Sequence, residues 1–280
     1  MEQVRDIDVT LDDGRVLHVY ETGSSNSRAP VFWFHGTPNI GAPPEPLFAA
    51  AADHGLRWVS YDRPGYGGSS PNPGRDVASA ATDVAAVADA LGIGRFGVLG
   101  HSGGGPHALA CAALLGDRVT AAVSISGLAP FDGDAWFAGM YPGGEATLRA
   151  ARAGRAEREA RVAADEYDPE MFTQADHAAL EGDWSWILSV VGPALDNGPG
   201  AMIDDDVAYA HPWGFSPADI GVPVLLVHGT EDRVVPSSHG ETLSRQIRDS
   251  TLRLSRGDGH ISVLRHAAEA VAWLGIRAAC

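Results

Sequence analysis

The sequence contains no lysine, only two cysteines and no long apolar run, and each shortage excludes a class of protein. All 20 basic residues are arginines, and 36 acidic residues leave a formal net charge of −16, which repels nucleic-acid phosphates and anionic lipid. Without lysine, no Gly-x-x-x-x-Gly-Lys phosphate loop can form. No apolar run reaches the length of a membrane span, and residues 1–6 lack the apolar stretch of a secretory leader. We therefore expect neither a nucleic acid nor a membrane as a partner.

The cysteines and histidines follow no pattern typical of a disulfide framework or a metal site. Cys111 lies in an Ala/Leu-rich stretch and Cys280 is the last residue. We therefore expect no disulfide framework and a location in the reducing cytoplasm. No His-Glu-x-x-His motif or close cysteine pair is present, and glycines 103–105 lack the Gly-x-Gly-x-x-Gly spacing of a dinucleotide loop. We expect no metal and no other cofactor, and the sequence leaves the oligomeric state open.

Short apolar runs alternate along the chain with stretches of helical periodicity. The composition is ordinary for a globular protein, with 45% hydrophobic and 20% charged residues. The apolar runs indicate buried strands at residues 31–34, 58–61, 96–99, 119–125 and 222–227. Ahead of them, alternating residues around Asp12-Asp13-Gly14 predict a β-hairpin. This order predicts a doubly wound, mostly parallel α/β sheet, whose ligands bind beyond the carboxyl ends of the strands.

Residues 127–216 break the alternation of strands and helices. They hold four of the seven tryptophans, and an Arg/Glu/Ala-rich stretch at 145–166 predicts a solvent-facing helix. We interpret the segment as a mainly helical cap, with a first core part at 1–129, the cap at 130–215 and a second core part at 216–280. Most cap tryptophans are expected to pack against the core, and Trp136 and Trp184 are candidates for contact with a substrate.

The stretch Gly100-His101-Ser102-Gly103-Gly104 stands between a predicted strand and a predicted helix of residues 104–115. Gly-x-Ser-x-Gly in that position is typical of a sharp turn that lifts the serine hydroxyl clear of the backbone. The outer glycines avoid a collision of a Cβ atom with the neighbouring strand or helix. Ser102 is therefore the candidate nucleophile, and the N-terminus of the helix directs N–H groups towards it. His101 is a candidate for the wall of the pocket.

A serine hydroxyl needs an imidazole base, and the imidazole needs a carboxylate that orients it. Asp232 and His260 each follow a predicted strand, in the chain order Ser…Asp…His. We assign His260 as the general base and Asp232 as its orienting carboxylate. The rival acids are Glu231, Asp258 and the run Asp204-Asp205-Asp206. We expect this aspartate run to form a solvated turn or a helix cap.

Five motifs in this order resemble the α/β-hydrolase fold superfamily, in its cap-bearing branch of esterases, lactonases, C–C hydrolases and proline-iminopeptidase-like proteins. The resemblance covers nearly the whole chain outside residues 130–215. The motifs are His35-Gly36-Thr37-Pro38, Asp62-Arg63-Pro64-Gly65-Tyr66-Gly67, Gly100-His101-Ser102-Gly103-Gly104, His228-Gly229-Thr230-Glu231-Asp232 and Gly259-His260. The family pattern implies an oxyanion hole made by the main-chain N–H groups of Gly103 and Thr37, and Pro38 has no N–H to offer.

The resemblance and the three candidate residues imply a serine hydrolase that cleaves a small carboxylic ester or lactone through an acyl-enzyme. The same residues also fit a proline-iminopeptidase-like aminopeptidase, a C–C bond hydrolase or a cofactor-free perhydrolase. The aminopeptidase would need an acidic cap residue, for which Glu145 and the run Asp204-Asp205-Asp206 are available. A ligand sensor with vestigial turnover is the alternative of another class. Haloalkane dehalogenases and epoxide hydrolases are disfavoured, since they use aspartate where this chain has Ser102.

Overall fold

The computed structural model describes residues 3–23, 28–164 and 168–278. Cys280 and the last two residues of the predicted helix at 145–166 lie outside these ranges. No helix of the described ranges combines the length and the apolar character that crossing a membrane requires.

One sheet organises the described part of the chain. Its eight strands are β1 (Val4–Thr10), β2 (Val16–Thr22), β3 (Ala29–Phe34), β4 (Leu56–Tyr61), β5 (Phe96–His101), β6 (Val119–Ile125), β7 (Val224–Gly229) and β8 (Ser250–Ser255). Their spatial order is β1-β2-β4-β3-β5-β6-β7-β8. Strands β3 to β8 run parallel to one another, and the β1–β2 hairpin joins β4 antiparallel. The predicted doubly wound, mostly parallel α/β sheet is confirmed.

The central strands are covered on both faces, which explains their nearly unbroken apolar sequences. Every residue of β4, β5 and β7 is buried, whereas the edge strands β1 and β8 leave most residues at least partly exposed. Parallel strands present their carboxyl ends at one edge of the sheet. The loops that follow β3, β4, β5, β7 and β8 therefore lie near one another.

Helices cover both faces of the sheet. In chain order, the α-helices of the described residues are α1 (Phe48–Asp53), α2 (Ser79–Ala90), α3 (Gly104–Leu114), α4 (Pro142–Ala153), α5 (Arg155–Arg161), α6 (Gln174–Glu181), α7 (Trp186–Val191), α8 (Gly200–Ala210), α9 (Ser238–Gln246) and α10 (Ala267–Ala278). Helices α2, α3 and α9 pack on the face that carries Phe32 and Val98, and α1 and α10 pack on the opposite face with Val31 and Leu99. An apolar core therefore lies on each side of the sheet.

Helices α4 to α8 stand between β6 and β7, in the segment interpreted as a cap; the domain boundaries themselves stay a prediction. For the described residues, the prediction of a single solvent-facing helix at 145–166 was wrong. Helices α4 and α5 meet instead at Gly154, whose φ of 139° a helix cannot adopt. On α5, Arg158 is buried because its guanidinium donates to Asp206 on α8 at 2.7 Å.

Candidate active site

Ser102 lies on the sharp turn between β5 and α3. Its backbone φ is 54°, a left-handed conformation that residues other than glycine rarely adopt. The flanking glycines make the turn possible. A Cβ atom on Gly100 would lie 2.2 Å from the Gly104 carbonyl oxygen, and one on Gly104 would lie 2.0 Å from the carbonyl oxygen of Phe34. Helix and strands can approach this closely only without side chains at these two positions.

His260 and Asp232 complete a hydrogen-bonded relay with Ser102. The Ser102 Oγ lies 2.8 Å from His260 Nε2, and His260 Nδ1 lies 2.8 Å from Asp232 Oδ2. The other Asp232 oxygen accepts the main-chain N–H groups of Val234 and Val235, both at 2.9 Å. These two bonds fix the carboxylate, which in turn sets the orientation of the imidazole. The structure thus brings together the three side chains that the sequence assigned as nucleophile, base and orienting acid.

The charges within the relay support one another. Burial lowers the pKa of His260, but the charge and hydrogen bond of Asp232 outweigh it, with a further contribution from Asp176, and the net shift is upward. Burial raises the pKa of Asp232, but His260 and, more weakly, His228 shift it downward overall. Nearby His228 has a pKa lowered chiefly by burial, and its Nε2 lies 2.7 Å from the Val235 carbonyl oxygen. His228 therefore stays neutral and donates to that carbonyl.

The loop that follows β3 lies directly against Ser102. A Cβ atom on Gly36 would lie 3.6 Å from the Ser102 Cβ, and one on Gly103 would lie 2.6 Å from the Thr37 Oγ1. Within the described ranges, neither the Thr37 N–H nor the Gly103 N–H donates to a protein acceptor. These two groups, both beside the serine, are the ones expected to form the oxyanion hole.

A buried arginine and a tyrosine hold the two sides of that hole in place. Arg63, just after β4, donates to the carbonyl oxygens of His35 and Gly36 and to the Thr37 Oγ1. The Tyr209 hydroxyl, on α8, donates to the Gly103 carbonyl at 3.0 Å and lies 2.9 Å from the Thr37 Oγ1. In the sequence Arg63 stands out only as part of one of the five motifs. The sequence offered no signal for Tyr209, because this contact depends on how α8 packs.

The expectation that Asp204, Asp205 and Asp206 form a solvated turn or a helix cap was wrong. All three are buried within α8, and Asp205 is completely inaccessible. The Asp205 carboxylate lies 2.6 Å from Arg63 and 2.7 Å from Arg75. Burial raises the pKa of Asp205, but the two guanidinium groups hold it well below its usual range. Arginines that are far away in the sequence but in contact in the fold therefore stabilise the Asp205 charge, and solvent does not.

The remaining rival acids face away from His260. The Asp258 carboxylate pairs with Arg265 at 3.0 Å and accepts the Ser255 hydroxyl at 2.5 Å. Glu231 is exposed. Among the described residues, no cluster of three or more His, Cys, Asp or Glu side chains is arranged to hold a metal ion.

Two cavities share Ser102 and differ in their walls. One, of ≈ 570 Å³, has a mixed wall that includes Leu128, Leu148 and Met202. It also carries the polar side chains of Thr147, Arg158, Asp206 and Tyr209, for which we call it the polar chamber. The other, of ≈ 710 Å³, has a mainly apolar wall that includes Leu180, Ile187 and Val191, and we call it the apolar chamber. Thr37 borders both chambers, Gly103 borders the polar one, and His260 borders the apolar one.

Of the candidate substrate contacts, His101 lines the apolar chamber. Its Nε2 lies 3.1 Å from the His260 carbonyl oxygen, and burial together with His260 lowers the pKa of His101 to about 3. Trp136 and Trp184 line neither chamber, so their assignment as substrate contacts is corrected. The Trp136 indole donates to the Ala129 carbonyl at 2.7 Å and packs among aromatic neighbours, and Trp184 belongs to the apolar core. Large apolar rings gain more from such burial than from an open cavity wall.

A doubly wound sheet with a serine on its strand-to-helix turn defines the class of α/β hydrolases. Residues 29–267 match the family model described as the alpha/beta hydrolase fold, and the chain belongs to this family and is an enzyme of this fold. Over 273 residues it is 29% identical to the non-heme chloroperoxidase of Streptomyces lividans, covering 92% of this chain and 94% of that protein. Over 255 residues it is 29% identical to the bifunctional esterase/perhydrolase DCH of Acinetobacter calcoaceticus, covering 81% and 83%. The bromoperoxidase from Bacillus anthracis superimposes with a TM-score of 0.73 at 22% identity, covering 96% of both chains.

Proposed function

We propose that the protein hydrolyses small carboxylic esters or lactones through an acyl-enzyme on Ser102. The observation that carries the proposal is the relay from the Ser102 Oγ through His260 to Asp232, with 2.8 Å at each step. Its hydrogen bonds already have the length that proton transfer needs. The esterase/perhydrolase relative supports the same acyl chemistry.

The proposed reaction uses the same groups in both of its halves. The Ser102 Oγ attacks the carbonyl carbon while His260 Nε2 takes the hydroxyl proton, and the oxyanion receives the N–H groups of Thr37 and Gly103. Collapse of the tetrahedral intermediate breaks the bond to the leaving oxygen, to which His260 returns the proton. A water molecule then repeats the sequence on the acyl-enzyme, releasing the acid and restoring the serine. Asp232 stabilises the imidazolium in both halves.

The two chambers suggest how an ester would lie. The leaving oxygen must come within hydrogen-bond reach of His260 Nε2, and His260 borders the apolar chamber. We therefore place the alcohol part of the substrate in the apolar chamber and the acyl part in the polar chamber. Esters of a short acid with a bulky apolar alcohol or phenol fit this arrangement best.

Perhydrolysis is the second candidate, and the relative named as a bifunctional esterase/perhydrolase favours it. In this reaction hydrogen peroxide replaces water in the second half, so that the acyl-enzyme yields a peroxy acid and free Ser102. The aminopeptidase has less support, since Asp205 is neutralised by Arg63 and Arg75, and the half-buried Glu145 pairs with Arg149 at 2.7 Å. A C–C bond hydrolase and a ligand sensor use the same triad, and the assay below separates the sensor from the hydrolases.

The first experiment compares wild type with Ser102→Ala and Ser126→Ala on p-nitrophenyl acetate, lactones and aminoacyl anilides. Ser126 is a matched control, because it is buried and has a similar φ of 50° at the end of the neighbouring β6. We expect Ser102→Ala to lower kcat by about 10⁴-fold to 10⁶-fold and Ser126→Ala to keep the wild-type rate. Wild-type turnover by Ser102→Ala would refute the proposal. A burst without steady-state turnover in wild type would favour the sensor, and peroxy acid formed with added hydrogen peroxide would favour the perhydrolase.

The second experiment tests the placement of the two substrate halves with a matched pair of leucines. Leu180→Trp narrows the apolar chamber and Leu148→Trp narrows the polar one. We expect Leu180→Trp to raise KM more for 1-naphthyl acetate than for ethyl hexanoate, and Leu148→Trp to do the reverse. The opposite pattern would mean that the acyl part lies in the apolar chamber and the alcohol part in the polar chamber.

A further inference from the structure

A second buried carboxylate lies behind the histidine loop, on an element that the relay does not include. Asp176 belongs to α6, in the segment between β6 and β7, and is only 1% exposed. Its Oδ1 accepts the main-chain N–H groups of Ile261 and Ser262, both at 2.8 Å, and the Ser262 hydroxyl at 2.9 Å. Ile261 and Ser262 are the two residues that follow His260.

The other oxygen of the same carboxylate begins α6. Asp176 Oδ2 accepts the main-chain N–H and the hydroxyl of Thr173, both at 2.9 Å, while the Thr173 hydroxyl accepts the Asp176 N–H at 3.1 Å. This is a capping box, which sets where the helix begins. One carboxylate therefore joins the first turn of α6 to the loop that presents the imidazole.

Gly259 leaves the room for this contact. A Cβ atom at Gly259 would lie 2.0 Å from Asp176 Oδ2, on a carboxylate held by five hydrogen bonds. The φ of Gly259 is not in the left-handed region, so the approach of Asp176 is the reason for glycine here. The Gly259-His260 motif thus has a partner in α6, which sequence spacing does not reveal.

The charge of Asp176 also acts on the imidazole. Burial raises the pKa of Asp176, but the hydrogen bonds from Ser262, Thr173 and Ile261 lower it overall, so the carboxylate stays ionised. Facing His260 are Asp232 from the loop after β7, Asp176 from α6, and His101 from the end of β5, with His228 behind Asp232. His101 and His228 both have a pKa lowered by burial and are neutral near pH 7, so the two carboxylates supply the field that favours the imidazolium.

From this geometry we infer that Asp176 is a positioning residue, which holds the histidine loop on α6 and keeps His260 within hydrogen-bond distance of Ser102 and Asp232. The inference rests on the proposed function, because it assigns Asp176 a role in that reaction. Leu180, one turn along the same helix, lines the apolar chamber. The wall for the leaving group and the group that protonates it are therefore fixed to one helix.

The test compares Asp176→Asn and Asp176→Ala with Asp258→Asn. Asparagine keeps the Oδ1 acceptor for the histidine loop and removes the charge, whereas alanine removes both. Asp258 is the matched control: it is buried and two residues from His260, but its carboxylate pairs with Arg265. We expect Asp176→Ala to lower kcat on p-nitrophenyl acetate by about 10²-fold with little change in KM, as a displaced imidazole would. We expect Asp176→Asn to move the acid limb of the kcat/KM profile to lower pH.

A titration by NMR gives a readout that does not depend on turnover. The imidazole resonances of His260 are followed in a Ser102→Ala background, with and without Asp176→Asn. A lower imidazole pKa with Asp176→Asn and an unchanged one with Asp258→Asn support the inference. The inference is overturned if Asp176→Asn leaves the imidazole pKa unchanged and both Asp176 variants keep the wild-type kcat. The same shift of the imidazole pKa with Asp258→Asn also overturns it. Turnover by Ser102→Ala itself would overturn the proposed function instead.

Discussion

Replacing Asp205 with asparagine would remove one charge from the buried network beneath the oxyanion loop and keep the shape of the side chain. The Asp205 carboxylate accepts from Arg63 at 2.6 Å, Arg75 at 2.7 Å, and the hydroxyl groups of Tyr66 and Thr37 at 2.9 Å each. Arg63 is only 1% exposed, so water cannot replace the lost charge. The variant therefore leaves two buried guanidinium groups without a shared counter-ion.

The expected cost follows from the depth of burial. Breaking a buried ion pair by removing one partner costs about 3–5 kcal/mol, because the remaining charge stays desolvated. For a chain of this length each kcal/mol corresponds to about 2 °C in Tm. We therefore expect Asp205→Asn to melt about 6–10 °C below wild type at neutral pH.

The pH dependence of this difference has a definite sign. The pKa of Asp205 is well below its usual range in the folded protein, so folding favours the ionised form. The stabilisation is complete above the pKa of an unfolded aspartate, about 4, and is lost as the pH falls through the folded pKa. Wild type and Asp205→Asn should therefore differ most at neutral pH and converge in acid.

Thermal unfolding followed by circular dichroism at several pH values checks this, with Asp204→Asn as the control. Asp204 lies on the same turn of α8, but burial raises its pKa despite Arg75 and Arg155, so the fold gains little from its charge. We expect Asp204→Asn to change Tm much less than Asp205→Asn. Equal Tm values for the two variants, or a difference that grows in acid, would refute the assignment of Asp205 as the anchor of the network.

Two further predictions concern the relay and its turn. Asp232→Asn should lower kcat/KM by about 10⁴-fold. In wild type the acid limb of the kcat/KM profile should lie above the pKa of free imidazole, since the base must be neutral and the pKa of His260 is raised. In Asp232→Asn this limb should move to lower pH. A limb that stays in place would contradict the role of Asp232. Gly104→Ala should be strongly destabilised, because its Cβ would lie 2.0 Å from the Phe34 carbonyl oxygen. Gly94→Ala is the control, because a Cβ at Gly94 would enter open space. Chemical denaturation measures the stability of both variants, and equal stability would count against the packing argument.

The sheet and the relay could largely be predicted from the sequence because their signals are local. A buried strand needs an unbroken apolar run, and a sharp strand-to-helix turn needs glycine on both sides of Ser102. Parallel strands bring their carboxyl ends to one edge, so the loops of Ser102, Asp232 and His260 were expected to meet there. The fold class is confirmed, and the structure places these three side chains in one hydrogen-bonded chain.

The environment of the acidic residues could not be predicted in the same way. The run Asp204-Asp205-Asp206 looks solvated because its partners Arg63 and Arg75 lie well over a hundred positions earlier in the chain. Trp136 looks like a pocket residue because one of its ring contacts, His239, lies 103 positions later in the chain.

The order of residues thus determined the sheet, the turn at Ser102 and the partners assigned to that serine, since each is indicated by a pattern within one strand or loop. Only the tertiary structure decided which charges are buried, where α8 meets the oxyanion loop and that Asp176 joins α6 to His260. The physical reason is that a buried charge is tolerable only beside its counter-ion or hydrogen-bond donors, and packing between distant segments supplies them.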